Sequence, residues 1–329
     1  MWKFLVRRIL LSIVILFCVS FLIYLIMRAL PTSYVEALAR ERASLPQGKS
    51  YTEWLAQLNA VYHMDGGIIE GFFGWMKDSL LKGDFGESWT YNIPVVQKFK
   101  EVVWDSFVLG FITLILELVI AIPLGIIAAR RQYSKLDYGI SVFALIGISL
   151  PSFFFATLLK LGLSYKLGWF EPVGKFSRFY DQLTPIGQFF DVASHYVLPV
   201  LTLTIVSIGF LMRYTRTNML EVLNSDYIRT ARAKGLSENK VINLHAFRNT
   251  LIPIVTIVGG TLPSLFSGAM ITEQLFSIPG IGFTAYAAMI KGDIPFSMFY
   301  MVFMACLTLI GTLISDILYA VVDPRVRVN

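Results

Sequence analysis

The chain has 329 residues, of which 56% are hydrophobic and 15% charged, where soluble domains carry roughly 45–50% and about 25%. That balance excludes a disordered chain and argues against a soluble enzyme, and two cysteines in the whole length exclude a disulfide framework. The net charge of +6 raises the question of a nucleic-acid partner, which the placement of the charges answers.

A membrane-crossing helix needs roughly 20 apolar residues, and six runs qualify. The first is Ile9–Met27, flanked by Arg7, Arg8 and Arg28. It is too long for the core of a signal peptide and no small-residue cleavage site follows, so it reads as an uncleaved helix. The others are Trp104–Ala129, Tyr138–Tyr165, Tyr196–Met212, Leu251–Phe276 and Phe296–Val322. Pro151 in the third run and Gly259, Gly260 and Pro263 in the fifth predict kinks or breaks there. Cys18 and Cys306 lie inside such runs and read as packing residues.

With six spans, the N-terminus, the Arg130–Asp137 link, Arg213–Arg248 and the C-terminal tail share one side, carrying 15 Lys/Arg against five acids. The opposite side carries 11 Lys/Arg against 14 acids. The positive-inside rule puts the first side, and both termini, in the cytoplasm. The charge excess is then topology, and no nucleic-acid partner is needed.

Two of the loops are too long to be simple links. Residues 31–103 lie outside by this topology and hold helical spacings over Tyr51–Tyr62 (Trp54, Leu55, Leu58, Val61) and Gly71–Leu81 (Phe72, Trp75, Met76, Leu80). They read as a small external subdomain. Its aromatics either pack on their own helices or lie on the membrane surface or a partner.

The cytoplasmic segment 213–248 reads as a projecting knob. Asn224, Ser225 and Asp226 are helix N-cap residues, and about two turns of helix formers follow from Tyr227 to Lys234. Gly235 stands where a left-handed C-cap belongs. Ser237 is placed to cap a second short helix with Val241, Leu244 and Phe247 on one apolar side. Ala231, Ala233 and Gly235 are small enough for close approach by another protein. A solvated basic loop that merely obeys the positive-inside rule explains the spacing as well.

The string Asp226-Tyr-Ile-Arg-Thr-Ala-Arg-Ala-Lys-Gly-Leu-Ser237, continuing through His245-Ala-Phe-Arg-Asn-Thr-Leu-Ile-Pro253, closely resembles the coupling loop of binding-protein-dependent ABC importer permeases. More narrowly, it is similar to the dipeptide/oligopeptide/nickel branch, in the permease type with a long first external loop. Met1-Trp-Lys-Phe-Leu-Val-Arg-Arg8, Asp84-Phe-Gly-Glu-Ser88 with Pro94-Val95, Phe276-Ser-Ile-Pro-Gly-Ile-Gly282 with Asp293-Ile-Pro295, and Tyr319 with Asp323-Pro-Arg325 agree in order along the chain. The general loop pattern opens Glu-Ala-Ala. Here Thr230-Ala231-Arg232 stand in its place, Gly235 is kept, and Arg248 occupies the expected proline position.

The resemblance implies an all-α membrane protein of six transmembrane helices, N-in and C-in, in a bacterial cell membrane. Its parts would be 1–30 (N-terminus and first helix), 31–103 (external subdomain), 104–322 (permease core with coupling loop 213–248) and 323–329 (cytoplasmic tail). It implies a non-catalytic subunit. The chain has no Gly-x-x-x-x-Gly-Lys-Ser/Thr loop of its own, so ATP and Mg would sit on two cytoplasmic ATPase partners. A second homologous permease would complete the pathway in the lipid bilayer, and an external substrate-binding protein or lipoprotein would deliver cargo. The expected cargo is di- or oligopeptides, with nickel chelates, glutathione or another small solute as alternatives. In the coupling loop, Tyr227, Ile228, Ala231, Ala233, Gly235 and Leu236 would supply packing, and Asp226, Arg229, Arg232 and Lys234 charge.

Intramembrane ionisable residues are costly and often functional. Glu117 near the middle of the second span either faces the pathway or bonds Ser, Thr or Tyr between helices. Glu273 and Asp316 lie nearer the interfaces, where solvation is cheaper. Pro151, Pro199 and Pro263 either shape gates or serve packing, so the pathway set is Glu117, Pro151, Pro263 and Glu273. Rival classes fit less well. A protease would need a Ser–His pair, paired aspartates or a metal cluster within the spans, yet His63, His195 and His245 read as loop or helix-edge residues. An ion-coupled secondary carrier would leave the knob without a task.

Overall fold

The computed structural model describes residues 2–29, 34–44, 49–61 and 66–322. The tail 323–329, Met1, Pro31 and Tyr62, all part of the readings above, lie outside those residues. Among the described residues four helices are long and apolar enough to cross a membrane: Val6–Ala29, Val95–Arg130, Pro185–Leu223 and Ile294–Leu318. Two further pairs qualify only as bent spans, Lys135–Ser149 with Ser152–Lys166 at 103° and Glu238–Leu251 with Pro253–Phe266 at 44°. Among the described residues the number of candidate spans is therefore four single helices, or six if each bent pair counts once. The chain divides into two compact units, residues 1–104 with 281–309 and residues 105–280 with 310–329.

The first unit opens with α1 (Trp2–Ala29), followed by the short helices α2 (Tyr34–Ala43), α3 (Tyr51–Val61) and α4 (Ile68–Lys82). Phe72 of α4 is fully buried, its ring 5.1 Å from that of Phe21 and 5.7 Å from that of Tyr24 on α1. Phe73, Leu80 and Leu81 on the same helix are exposed. Phe72 thus packs on α1, while Phe73 beside it stays exposed. Cys18, expected to pack, is exposed on α1.

A two-stranded hairpin, β1 (Glu87–Ser88) paired antiparallel to β2 (Ile93–Pro94), leads into α5 (Val95–Arg130). No alternation in the sequence announces it, because two-residue strands are too short to show a period. The helix α13 (Ile281–Ile290) and the start of α14 (Ile294–Val322) complete this unit, with Val95, Val102, Ile281, Ala285 and Phe296 in one buried cluster.

In the second unit, α6 (Lys135–Ser149) and α7 (Ser152–Leu159) form the bent pair. Pro151 is the N-cap of α7, with φ −62° and ψ 147°, and it is exposed at the corner. A residue before proline is pushed out of the helical region, and Leu150 is extended at φ −101° and ψ 138°. A π-helical turn, Lys160–Lys166, ends this pair. The next helix, α8, runs Pro185–Leu223, far beyond the expected Tyr196–Met212. At 39 residues it is roughly 60 Å long, about twice a hydrocarbon core. Pro199 inside it is buried, and so is His195, which therefore lies within a helix and not in a loop.

Two glycines let α6 and α8 approach closely. A Cβ on Gly147 would collide with the Ile205 carbonyl oxygen, and one on Gly209 with the Ala144 carbonyl and the Ile148 side chain. Small residues that bring backbones together are the usual basis of helix association in a bilayer.

The fifth region consists of α9 (Asp226–Ala233), α10 (Glu238–Lys240), a π-helical turn (Val241–Ala246), α11 (Phe247–Thr261), a 3₁₀ turn (Leu262–Phe266) and the separate helix α12 (Met270–Phe276). The expected span Leu251–Phe276 is therefore interrupted after Phe266, because Ser267, Gly268 and Ala269 leave the helix and Gly268 takes a φ of +81°. Gly209→Val should cost about 1–3 kcal/mol by overpacking the α6–α8 crossing. Denaturant unfolding of the purified protein in detergent measures it, and an unchanged midpoint would show that the crossing is not close.

Candidate functional site

The knob is anchored by its own apolar face. Ile228 is fully buried and Ala231 nearly so, in one cluster with Ala129, Met219, Val241, Ile242 and Ala246. Burying one such isoleucine stabilises by about 1.5–3 kcal/mol. The two residues therefore hold α9 to its own chain. Leu236 is partly buried against the same cluster.

The face left exposed carries Asp226, Tyr227, Arg229, Arg232, Ala233 and Lys234. Asp226 and Arg229 lie 3.4 Å apart, and Arg232 Nε is 2.7 Å from Glu238 on α10. Ion pairs this exposed contribute little to stability, so these charges remain available to a surface laid over them.

Gly235 turns the corner at φ +75° with open space around its missing Cβ. What it supplies is backbone conformation alone. Ser225 and Ser237 precede the two helices as foreseen, but neither caps with its side chain, and Ser225 Oγ instead donates to the Val222 carbonyl at 2.6 Å. The second helix is not separate either. Its π turn carries the backbone straight into α11 and buries Val241, Ile242, Ala246 and Thr250, while Leu244 is exposed. The i, i+3 face expected from α-helical spacing (Val241, Leu244, Phe247) fails because a π turn advances more than 3.6 residues per turn.

Beside the knob, Arg216 of α8 grips Asp137 of α6 with two bonds of 2.7 Å, from Nε to Oδ1 and from Nη2 to Oδ2. Asp137 also accepts the Tyr133 backbone N–H at 3.0 Å. Bidentate guanidinium–carboxylate pairs are among the strongest polar contacts and fix geometry. In the sequence both residues stand as loop charges beside the span ends. Their spacing from the span ends was the available signal.

The unit's other polar cluster lies where α5 meets α8 and α12. Glu273, expected near an interface, is completely buried. Its Oε1 accepts from Ser106 Oγ at 2.6 Å and from the Ala269 N–H at 2.9 Å. Next in the chain to Ser106, the buried Asp105 accepts from the Tyr196 hydroxyl at 2.9 Å and pairs with Lys175 Nζ at 2.6 Å. Two buried carboxylates are thereby satisfied by four neighbours, as burial of charge requires. Neither Asp105 nor Lys175 nor Tyr196 was foreseen.

Above this cluster, a cavity of about 270 Å³ is bordered by one face of α5 (Ser106, Gly110, Thr113, Glu117), by Phe210 and Leu211 of α8, and by the α11 end through Thr261 and Ser264. Of the four expected pathway residues, Glu117 lines it directly. Glu273 sits behind its Ser106 and Ala269 wall, and Pro263 is buried in the turn that supplies Ser264. Pro151 does not line it. The Ser207 hydroxyl of α8 is within hydrogen-bonding reach of Glu117. Among the described residues no group of three or more His, Cys, Asp or Glu is placed to hold a metal.

In the first unit, two separated motifs meet. Asp293 is completely buried, accepting from Ser88 Oγ at 2.5 Å and from the Thr90 N–H at 2.9 Å through Oδ2, and from the Phe296 N–H at 3.2 Å through Oδ1. Tyr91, at the hairpin turn, donates to the Thr284 carbonyl at 3.2 Å. Burial, and then the nearby Asp293 carboxylate, raises its phenol above the usual value. Asp293→Ala strands three donors, and each buried unsatisfied group costs about 1–3 kcal/mol. Limited proteolysis between residues 83 and 95 should become faster, whereas Asp84→Ala, on an exposed turn, should leave it unchanged. In the second unit, Asp137→Ala should destabilise by about 3–5 kcal/mol by leaving Arg216 partly buried and alone. The double variant with Arg216→Ala should recover part of that loss in the same unfolding measurement.

The family described as "Binding-protein-dependent transport system inner membrane component" matches residues 121–328, and its N-terminal companion matches residues 1–115. An oligopeptide transport system permease protein of Bacillus subtilis (strain 168) is 37% identical over 328 residues, covering 99% of this chain and 100% of that protein. An oligopeptide transport system permease protein of Haemophilus influenzae is 32% identical over 328 residues, at 99% and 100% coverage. A di/tripeptide transport system permease protein of Pseudomonas aeruginosa is 32% identical over 341 residues, covering 99% of each. Among solved structures, an inward-facing MetNI methionine ABC transporter aligns with TM-score 0.49 and 16% identity, over 68% of this chain and 97% of that one.

Proposed function

We propose, because this chain belongs to the family of binding-protein-dependent transport system inner membrane components, that it is the permease subunit of an ATP-driven importer of di- or oligopeptides. Relatives alike over nearly the full length carry peptide-permease names, and those names support the cargo. The observation that carries the mechanism is the knob: a short helix fixed by Ile228 and Ala231, with its basic face outward.

Moving solute against a gradient needs a coupled energy source. In this reading two cytoplasmic ATPase subunits hold ATP and Mg, one of them receives the exposed face of α9, and this chain binds no cofactor itself. Tyr227 and Ala233 would supply contact area, and Arg229, Arg232 and Lys234 would meet acidic groups. Displacement of α9 would be passed to α8 through Met219 and on to α6 through the Asp137–Arg216 clamp, since packed cores shift as units. A second permease would line the other side of the pathway. The external residues 31–103 would receive the binding protein that delivers cargo.

Gly235→Val should abolish peptide uptake while membrane insertion is unaffected. A β-branched residue resists positive φ, so the corner between α9 and α10 must reshape. Gly235→Asn, which tolerates that conformation, should keep substantial uptake. Uptake of a labelled oligopeptide by cells, with membrane-fraction immunoblots, measures both. Wild-type uptake in Gly235→Val would overturn the lever. Arg229→Glu with Lys234→Glu should reduce ATPase co-purification several-fold.

A further inference from the structure

The hydroxyls bordering the cavity between α5, α8 and α11 share one hydrogen-bonding bias. Thr113 Oγ1 donates to the Leu109 carbonyl at 2.8 Å, Thr261 Oγ1 to the Val258 carbonyl at 2.9 Å, and Ser264 Oγ to the Thr261 carbonyl at 2.6 Å. Ser106 Oγ donates to the Glu273 carboxylate at 2.6 Å. A hydroxyl has a single proton and two lone pairs. All four protons are committed within the protein, so toward anything in the cavity these oxygens can only accept. Glu117 adds a carboxylate to the same wall, and among the described residues the lining contains no cationic side chain. Phe210, Ile257 and Leu265 supply an apolar wall beside it.

Accepting hydroxyl oxygens, a carboxyl group and an adjacent apolar wall suit an organic ammonium. We propose that this cavity binds the protonated primary amine of a solute in passage, its N–H bonds directed to Glu117 and the hydroxyl oxygens and its carbon chain laid on the apolar wall. An inorganic monovalent cation shares the charge but has no carbon chain for that wall. The volume, about 270 Å³, is near the lower end of small-molecule sites, and suits an amine-bearing residue rather than a whole peptide. The proposal rests on the importer reading only for the origin of the amine.

The test is labelling of Glu117 by dicyclohexylcarbodiimide, an apolar carboxyl reagent, in the importer purified with its partner subunits. Modification is followed by mass spectrometry of the peptide containing residue 117, with Glu117→Gln as the unlabelled control. n-Butylammonium should slow labelling several-fold, sodium and potassium ions at equal concentration should not, and Thr113→Val should weaken the protection. Labelling unaffected by n-butylammonium, equal protection by sodium or potassium, full protection in Thr113→Val, or no labelling of the wild type would each overturn the site. A peptide with a free amino terminus should protect during ATP-driven turnover, and its N-acetylated form should not. Protection by n-butylammonium but by no peptide would uphold the amine site and overturn the peptide cargo.

Discussion

The second unit depends on how closely α6 and α8 can lie, and that distance is set by two missing side chains. Gly147 and Gly209 each present a bare backbone to a carbonyl oxygen of the other helix, a contact that water would contest but a bilayer does not. Once the helices meet there, Asp137 and Arg216 come within bonding distance toward one end of the crossing, and their paired bonds fix the rotation of one helix against the other. Phe210 and Leu211, immediately beyond Gly209, then stand on the cavity wall, and Met219, further along, becomes the seat for Ile228. One long helix thus presents, in order, a polar cluster, a cavity wall, a clamp and a seat for the knob.

The first unit reaches order by another route. Apart from α1 and the start of α14 its described elements are short, and one buried carboxylate does much of the organising. Asp293 gathers a serine hydroxyl and two backbone N–H groups from segments about 200 residues apart in the chain. The hairpin it holds is too short to be stable by itself. Gly86 lies against Pro295, 3.7 Å from where a Cβ would reach, so the turn and the proline after Asp293 fit each other closely.

How much of this was legible in the sequence follows from the kind of signal involved. Apolar runs between charges fall on the four long apolar helices and on both bent pairs, because the cost of polar groups in hydrocarbon is large enough to leave a mark in composition. The knob was legible through its helix formers and Gly235, whose positive φ the structure bears out. The end of the fifth run was not, since Ser267, Gly268 and Ala269 are neither charged nor proline and an apolar count passes over them. The length of α8 was hidden in the same way, as Phe189, Phe190, Asp191 and Ser194 read like a loop yet form its first turns. Of the site residues, Glu117 stood out as an acid in a span. Asp105, Lys175 and Tyr196 did not, because only the packing of distant segments brings them together. The inward face of Ile228 and Ala231 was missed because eight residues of mixed character do not reveal which side meets the protein.

The π turn at Val241–Ala246 has an evolutionary consequence. It holds the buried stripe of the knob and that of α11 in one continuous backbone ladder, with the buried positions Ile242, Ala246, Thr250 and Ile254 falling four apart. Exchanging one apolar residue for another along this stripe would change a contact or two. Losing or gaining a single residue within the turn would rotate everything downstream by about 100°, turning Thr250 and Ile254 outward and detaching the phase of the fifth span from that of the knob. Sequence change in this stretch is therefore expected to accumulate by substitution at constant length, while the loops outside the membrane remain free to lengthen and shorten.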